Sequence, residues 1–231
     1  PLAPRGLRSL LGDEYFQNVR QVNLVYDDSA GKRLDNTSLQ ACDDLLKQIS
    51  TLPGLKGLLL KETQATDEGL RYIGKMTDLE ELYIWDAKFI TDAGVSHLSR
   101  LTNLKKVHIG NSNLTDDSLA RISSLPRMEE MSLQQNHFSD EGLARLSGKE
   151  RLKRLCIGLG DVRITDGGLA HLAGFEKLEL LDLQKSRVTD QGLEQLKRLP
   201  NLKELWLSET SVSDQAVQRL RETIPSLKVM R

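Results

Sequence analysis

Apolar residues recur along the chain on one long template. It reads L-x-x-L-x-L, then a small or polar residue, then [V/I/L]-[T/S]-D-x-[G/S/A]-L-x-x-L. Copies open at Leu55, Leu79, Leu104, Met128, Leu152, Leu178, Leu202 and Leu227, at intervals of 24 to 26 residues. Two periods meet in each copy. The last two apolar residues of L-x-x-L-x-L alternate with outward positions, the period of a short strand. The D-x-G-L-x-x-L part recurs at helical spacing, with a Thr or Ser before it as N-cap and the Asp where the helix dipole favours negative charge. Each copy therefore predicts strand, turn and helix. One copy cannot bury its own leucines, so the copies must stack.

The spacing is that of leucine-rich repeats, which predicts an α/β solenoid. The expected shape is a right-handed β/α horseshoe, with parallel strands on the concave face and helices on the convex face. Val19, Val22 and Leu24 open an enlarged first repeat over residues 19–54, in which residues 34–39 match residues 114–119. Seven repeats then cover residues 55–226, and a terminal strand covers 227–231. Residues 1–18, with Leu7, Leu10 and Leu11 on one helical face and Phe16 after them, are expected to cap the first open end.

Composition narrows the function classes. The 231 residues carry 32 Lys+Arg and 33 Asp+Glu, a net charge of −1, so no cationic surplus supplies the phosphate contacts of nucleic-acid binding. No apolar run is long enough to insert into a membrane. The two cysteines, Cys42 and Cys156, are far apart and fit no disulfide framework.

The V-T-D-x-G-L-x-x-L-x-x-L-P-x-L unit, seen at Val188 through Leu202, resembles the bacterial leucine-rich repeat proteins abundant in planctomycetes. It is also similar to GALA-type and F-box-associated leucine-rich repeats. Residues 4–16 (P-R-G-L-R-S-L-L-G-D-E-Y-F) resemble the planctomycete flank that joins a membrane anchor to the repeats. The resemblance implies a protein-interaction domain, the soluble part of a membrane-anchored or exported bacterial protein.

Chemistry finds few footholds. Asp67, Asp92, Asp116, Asp140, Asp166, Asp190 and Asp214 form one column at the helix starts, which reads as capping rather than as paired catalytic acids. The small column Gly69, Gly94, Ser118, Gly142, Gly168, Gly192 and Ala216 reads as tight packing between repeats. The central outward strand positions are Asn23, Leu59, Tyr83, His108, Ser132, Cys156, Asp182 and Trp206. His108, Ser132 and Asp182 suggest a triad, but strands about 4.8 Å apart put Asp182 about 14 Å from His108. The same spacing leaves Cys156 about 10 Å from His108, too far for a Cys–His pair. His97, His137 and His171 lack ligand partners at zinc spacing. No catalytic residue, metal or cofactor is expected.

The ten aromatics carry more information. Both tryptophans fall on the outward track, and Leu59, Tyr83 and Trp85, with Tyr26 two strands away, are expected to form one patch. His108 lies next to it, and Trp206 lies about 24 Å from Tyr83 on strand spacing. The enlarged strand-to-helix turns at residues 27–33, 86–89 and 158–163 share one rim with Trp85. The expectation is a non-enzymatic module that binds a protein or peptide through Tyr26, Leu59, Tyr83, Trp85, His108 and Trp206. A substrate-recruiting adaptor of a ligase or effector is the alternative, and the C-terminal edge strand offers a route to a homodimer.

Overall fold

The repeat period becomes a single open sheet in the computed structural model, which describes residues 21–25, 36–61, 64–146, 150–161 and 163–231. The strands are β1 (Gln21–Val25), β2 (Gly57–Lys61), β3 (Glu81–Trp85), β4 (Lys106–Gly110), β5 (Glu130–Ser132), β6 (Arg154–Cys156), β7 (Leu180–Asp182), β8 (Glu204–Trp206) and β9 (Lys228–Met230). They lie in sequence order, and each pairs in parallel with its neighbours in the chain. The helices between them are α1 (Asn36–Ile49), α2 (Asp67–Ile73), α3 (Asp92–Ser96), α4 (Asp116–Ser123), α5 (Asp140–Ala144), α6 (Asp166–Leu169), α7 (Asp190–Leu196) and α8 (Asp214–Thr223). The expected cap over residues 1–18, Tyr26 and the enlarged turn at 27–33 lie outside the described residues.

The alternation works as the leucine spacing predicts. Leu58 and Leu60, Leu82 and Ile84, Val107 and Ile109, and Leu181 and Leu183 point inward and are buried against the helix leucines. Two of the four phenylalanines, Phe138 and Phe175, are among the largest fully buried side chains of this core.

The aspartate column does something the capping reading leaves out. The helix caps are the preceding Thr and Ser: Thr66, Thr91, Thr115, Ser139, Thr165 and Thr189 each accept from the backbone N–H two residues on. The aspartate that follows turns instead to the next repeat. Asp67 accepts the N–H and hydroxyl of Thr91 at 2.8 and 2.7 Å. Asp116 does the same for Ser139 at 2.9 and 2.5 Å, and Asp166 for Thr189 at 2.8 and 2.6 Å. The column is a carboxylate ladder between repeats.

This ladder also corrects the register of the first repeat. Asp43, inside α1 and 5 % exposed, accepts the N–H and hydroxyl of Thr66 at 3.1 and 2.6 Å. The residue equivalent to Asp67 is thus Asp43 rather than Asn36, and the extra helical turns of this repeat precede the ladder position. The small-residue column follows from the same contact. A Cβ on Gly69, Gly94, Gly142, Gly168 or Gly192 would overlap the aspartate oxygen of the repeat before it. At the one serine in the column, the Ser118 hydroxyl donates to Asp92 instead.

The last strand departs from the leucine spacing. Val229 lies opposite Leu205 and packs on the core, while Met230 lies opposite Trp206 and is exposed. The L-x-x-L spacing from Leu227 would turn Met230 inward. The pairing comes one residue earlier, which reverses the face of every side chain beyond it.

Ion pairs tie the strand entries together. Lys56, Glu80, Lys105, Glu129, Lys153, Glu179 and Lys203 form a column of alternating sign. Its contacts include Lys56–Glu80 at 3.2 Å, Lys105–Glu80 at 2.7 Å, Lys153–Glu129 at 2.7 Å and Lys203–Glu179 at 2.9 Å. Beside it, Lys106 meets Glu81 at 3.2 Å and Glu130 at 3.7 Å, and Arg154 meets Glu130 at 3.8 Å.

Candidate functional site on the strand face

The outward strand positions divide the face in two. Towards the N-terminal end, Leu59, Tyr83 and His108 are direct register neighbours on β2, β3 and β4. The Tyr83 and His108 rings are 4.6 Å apart between centroids, and Trp85 meets His108 edge-on at 6.1 Å. Parallel pairing with side chains on every second residue puts these groups together, because Tyr83 and Trp85 share one face of β3. Trp85 lies over the neighbouring strand at Gly110, where a Cβ would be 3.5 Å from the indole Cε3.

Electrostatics keeps this cluster neutral. Burial lowers the His108 pKa to about 4, with the charges of Arg154 and Lys106 acting in the same direction. Its imidazole is uncharged at neutral pH, and its Nδ1 is enclosed without a hydrogen-bond partner. Burial also raises the Tyr83 phenol, with the nearby Glu81 carboxylate adding to it. The Tyr83 hydroxyl donates to Glu81 Oε2 at 3.3 Å.

Towards the C-terminal end the same track is closed. Sequence alternation marks Ser132, Cys156 and Asp182 as outward and exposed, but their exposures are 8 %, 8 % and 0 %. The Gln134 amide reaches across two strands to donate to Asp182 Oδ2, and Gln184 N–H donates to Oδ1 at 3.0 Å. Gly158 lies under this contact, where a Cβ would sit 2.8 Å from Asp182 Oδ1. The carboxylate is therefore committed within the face. Burial, then the charge of Asp182, pushes the Cys156 thiol up to about 12, so it stays protonated. His108 on β4 and Asp182 on β7 remain three strands apart. The arrangement offers neither a triad nor an activated thiol.

Trp206, on β8, stands five strands from Tyr83, paired with Asp182 and Met230, and is half-buried. Its indole N–H is enclosed without an acceptor. The structure thus brings Leu59, Tyr83, Trp85 and His108 together and leaves Trp206 apart. Among the described residues, no cluster of His, Cys, Asp or Glu could hold a metal, and no helix is long and apolar enough to cross a membrane.

Phe89, in the turn that follows β3, lies beyond the reach of the strand alternation. It ends the enlarged turn and is 43 % exposed, and Trp85, four residues earlier, is 40 % exposed. The signal was available in its column. The residue two before each Ser/Thr cap is Asn113, His137, Arg163, Arg187 and Ser211 in later repeats, all polar.

No protein-family model matches the chain, and no curated protein matches it. Among solved structures it is similar to an internalin (inlF) from Listeria monocytogenes. That likeness has a TM-score of 0.56 and 20% sequence identity, and it covers 89% of this chain and 60% of that one. The chain thus spans less than two thirds of that protein's length. Strand order, repeat period and this backbone likeness agree: the chain is an α/β leucine-rich repeat solenoid.

Proposed function

We propose that this solenoid is a protein-recognition module that binds a protein or peptide partner through the strand face around Leu59, Tyr83, Trp85 and His108. The observation that carries this reading is the three-ring contact of Tyr83, His108 and Trp85, with Trp85 left open to solvent. Packing within the chain does not require an exposed indole there, and Tyr and Trp are the side chains that dominate binding interfaces. Catalysis has no comparable support, because Cys156 stays protonated and Asp182 is bonded within the sheet. Trp206 supports at most a separate contact, since five strands divide it from the cluster. The resemblance to planctomycete and GALA-type repeats supports a bacterial scaffold or adaptor in which the same face recruits a target.

The test is affinity for a partner isolated with the wild-type chain. A Tyr83→Ala/Trp85→Ala variant, its fold checked by circular dichroism, is expected to bind about 100-fold more weakly. Unchanged affinity would remove the strand face from the proposal.

A further inference from the structure

We infer that His108 makes the Tyr83–His108–Trp85 cluster an acid-sensitive switch: a proton on the imidazole drives it out of contact with both rings and frees the Trp85 indole. The device concerns the same face as the recognition reading, but it is tested without a partner, so the two stand or fall separately.

Both ring contacts of the cluster run through His108, to Tyr83 at 4.6 Å and to Trp85 edge-on at 6.1 Å between centroids. The position suits only the neutral ring. Nδ1 is enclosed and has no hydrogen-bond partner. Whichever nitrogen holds the proton of the neutral ring, an imidazolium carries N–H on both. The one at Nδ1 has no acceptor where it stands, and an enclosed, unpaired N–H on a charged ring is costly to keep.

The groups around the ring do not compensate for its charge. On β3, Glu81 pairs with Lys106 at 3.2 Å and accepts from the Tyr83 hydroxyl. On β5, Glu130 lies between Lys106 of β4 and Arg154 of β6, at 3.7 and 3.8 Å. Ser132, the register neighbour of His108 on β5, is uncharged, and Cys156 beyond it stays a neutral thiol. Lys61, opposite Trp85 on β2, and Asp86, bonded to the Asn111 amide, border the cluster with opposite charges. Of the charges that act on His108, Arg154 and Lys106 oppose its proton, and the attraction of Glu81 is weaker than either.

Linkage gives the direction. Burial above all, with those two cations, holds the enclosed ring at about 4, while a ring in water titrates near 6.5. The proton therefore binds the open arrangement more tightly, and going from pH 7 to pH 5 favours opening by about 20-fold. Turning the side chain into solvent satisfies both N–H groups. It also removes the ring that Trp85 meets edge-on, so the indole, already 40 % exposed, gains access to water.

The experiment follows the full chain by NMR and tryptophan fluorescence from pH 7 to pH 4. Nuclear Overhauser contacts between the Tyr83 and His108 rings, present at pH 7, are expected to vanish as the imidazole takes up its proton, with far-UV circular dichroism unchanged. In a Trp206→Phe chain, whose remaining indole is Trp85, acrylamide quenching is expected to rise about twofold over the same range. His108→Gln, neutral throughout, is expected to abolish that rise. Ring contacts that persist at pH 4 would show that the ring stays in place and would overturn the switch. A quenching rise that survives His108→Gln would assign the change to Glu81 or Glu130, and loss of circular dichroism in step with the ring contacts would make it unfolding. Either result overturns the switch as well. The NMR measurement uses the unaltered sequence, so the outcome does not depend on the folding of a variant.

Discussion

Asp140 and Thr165 meet across a repeat boundary through both carboxylate oxygens. Oδ1 accepts the Thr165 N–H at 2.7 Å and Oδ2 its hydroxyl at 2.6 Å. The same hydroxyl accepts from Gly167 N–H, so the first residue of α5 holds the cap of α6 in place. Each repeat orients the helix start of the next.

Thr165→Val removes the cap and one rung of the ladder, and is expected to cost about 2 kcal/mol in urea unfolding. Asp140→Ala is expected to cost a similar amount. Because both changes break one unit, the double variant should lose clearly less than the sum. Additive losses would mean that the ladder bonds are incidental.

The adjacent glycines of α6 should respond in opposite ways. A Cβ on Gly168 would overlap the Asp140 carboxylate and meet Leu143 Cδ1 at 3.0 Å, whereas one on Gly167 finds nothing closer than 3.4 Å. Gly168→Ala is expected to destabilise by about 2 kcal/mol through overpacking. Gly167→Ala is expected to be neutral, or to stabilise by about 0.5 kcal/mol through helix propensity. Thermal unfolding of the two single variants separates these outcomes.

How far such features were legible from sequence depends on the reach of the contact. The leucine alternation and the Ser/Thr caps act within one repeat, and local spacing exposes them. The destination of Asp140 lies 25 residues on, so spacing could place the aspartate at a helix start but could not say what its carboxylate reaches. The same limit applies to the strand face. Alternation marked Asp182 as outward, yet its burial depends on Gln134, which is 48 residues away. Tyr83, Trp85 and His108 were legible as a group because parallel register sets neighbours on adjacent strands directly. Phe89 lies in a turn, where no strand or helix period applies, and its apolar character stands out only against the polar residues of its column.

His108 predicts a pH dependence distinct from that of the carboxylates. Burial lowers its folded pKa to about 4, from an ordinary value of 6.5. A depressed base is neutral in the folded chain and takes up its proton first when unfolded. Its contribution is therefore complete above pH 6.5 and is lost as pH falls from there towards 4. Urea unfolding at pH 5 should show a loss of about 1–2 kcal/mol relative to pH 7, and His108→Gln should flatten that slope. A slope unchanged by the substitution would assign it to another group.

Leu159 stands in a backbone conformation that suits it poorly. Its φ is 64°, in a column where Asp86, Asn111, Gln135, Lys185 and Glu209 are also left-handed. A leucine Cβ meets its own carbonyl there, at a cost of about 1 kcal/mol. Leu159→Gly or Leu159→Asn is expected to raise stability by about 0.5–1 kcal/mol. A fall in the urea midpoint for both variants would show that the Leu159 side chain contributes more packing than its conformation costs.

The alternating column from Lys56 to Lys203 gives the array a parity. Excising the repeat that begins at Glu80 would set Lys56 against Lys105, and the mismatch would lie on an otherwise intact boundary. Excising two successive repeats would set Lys56 against Glu129 and restore the alternation. The shape of this solenoid repeats with every unit, but its charge repeats only with every second one, so the array shortens or lengthens compatibly in pairs.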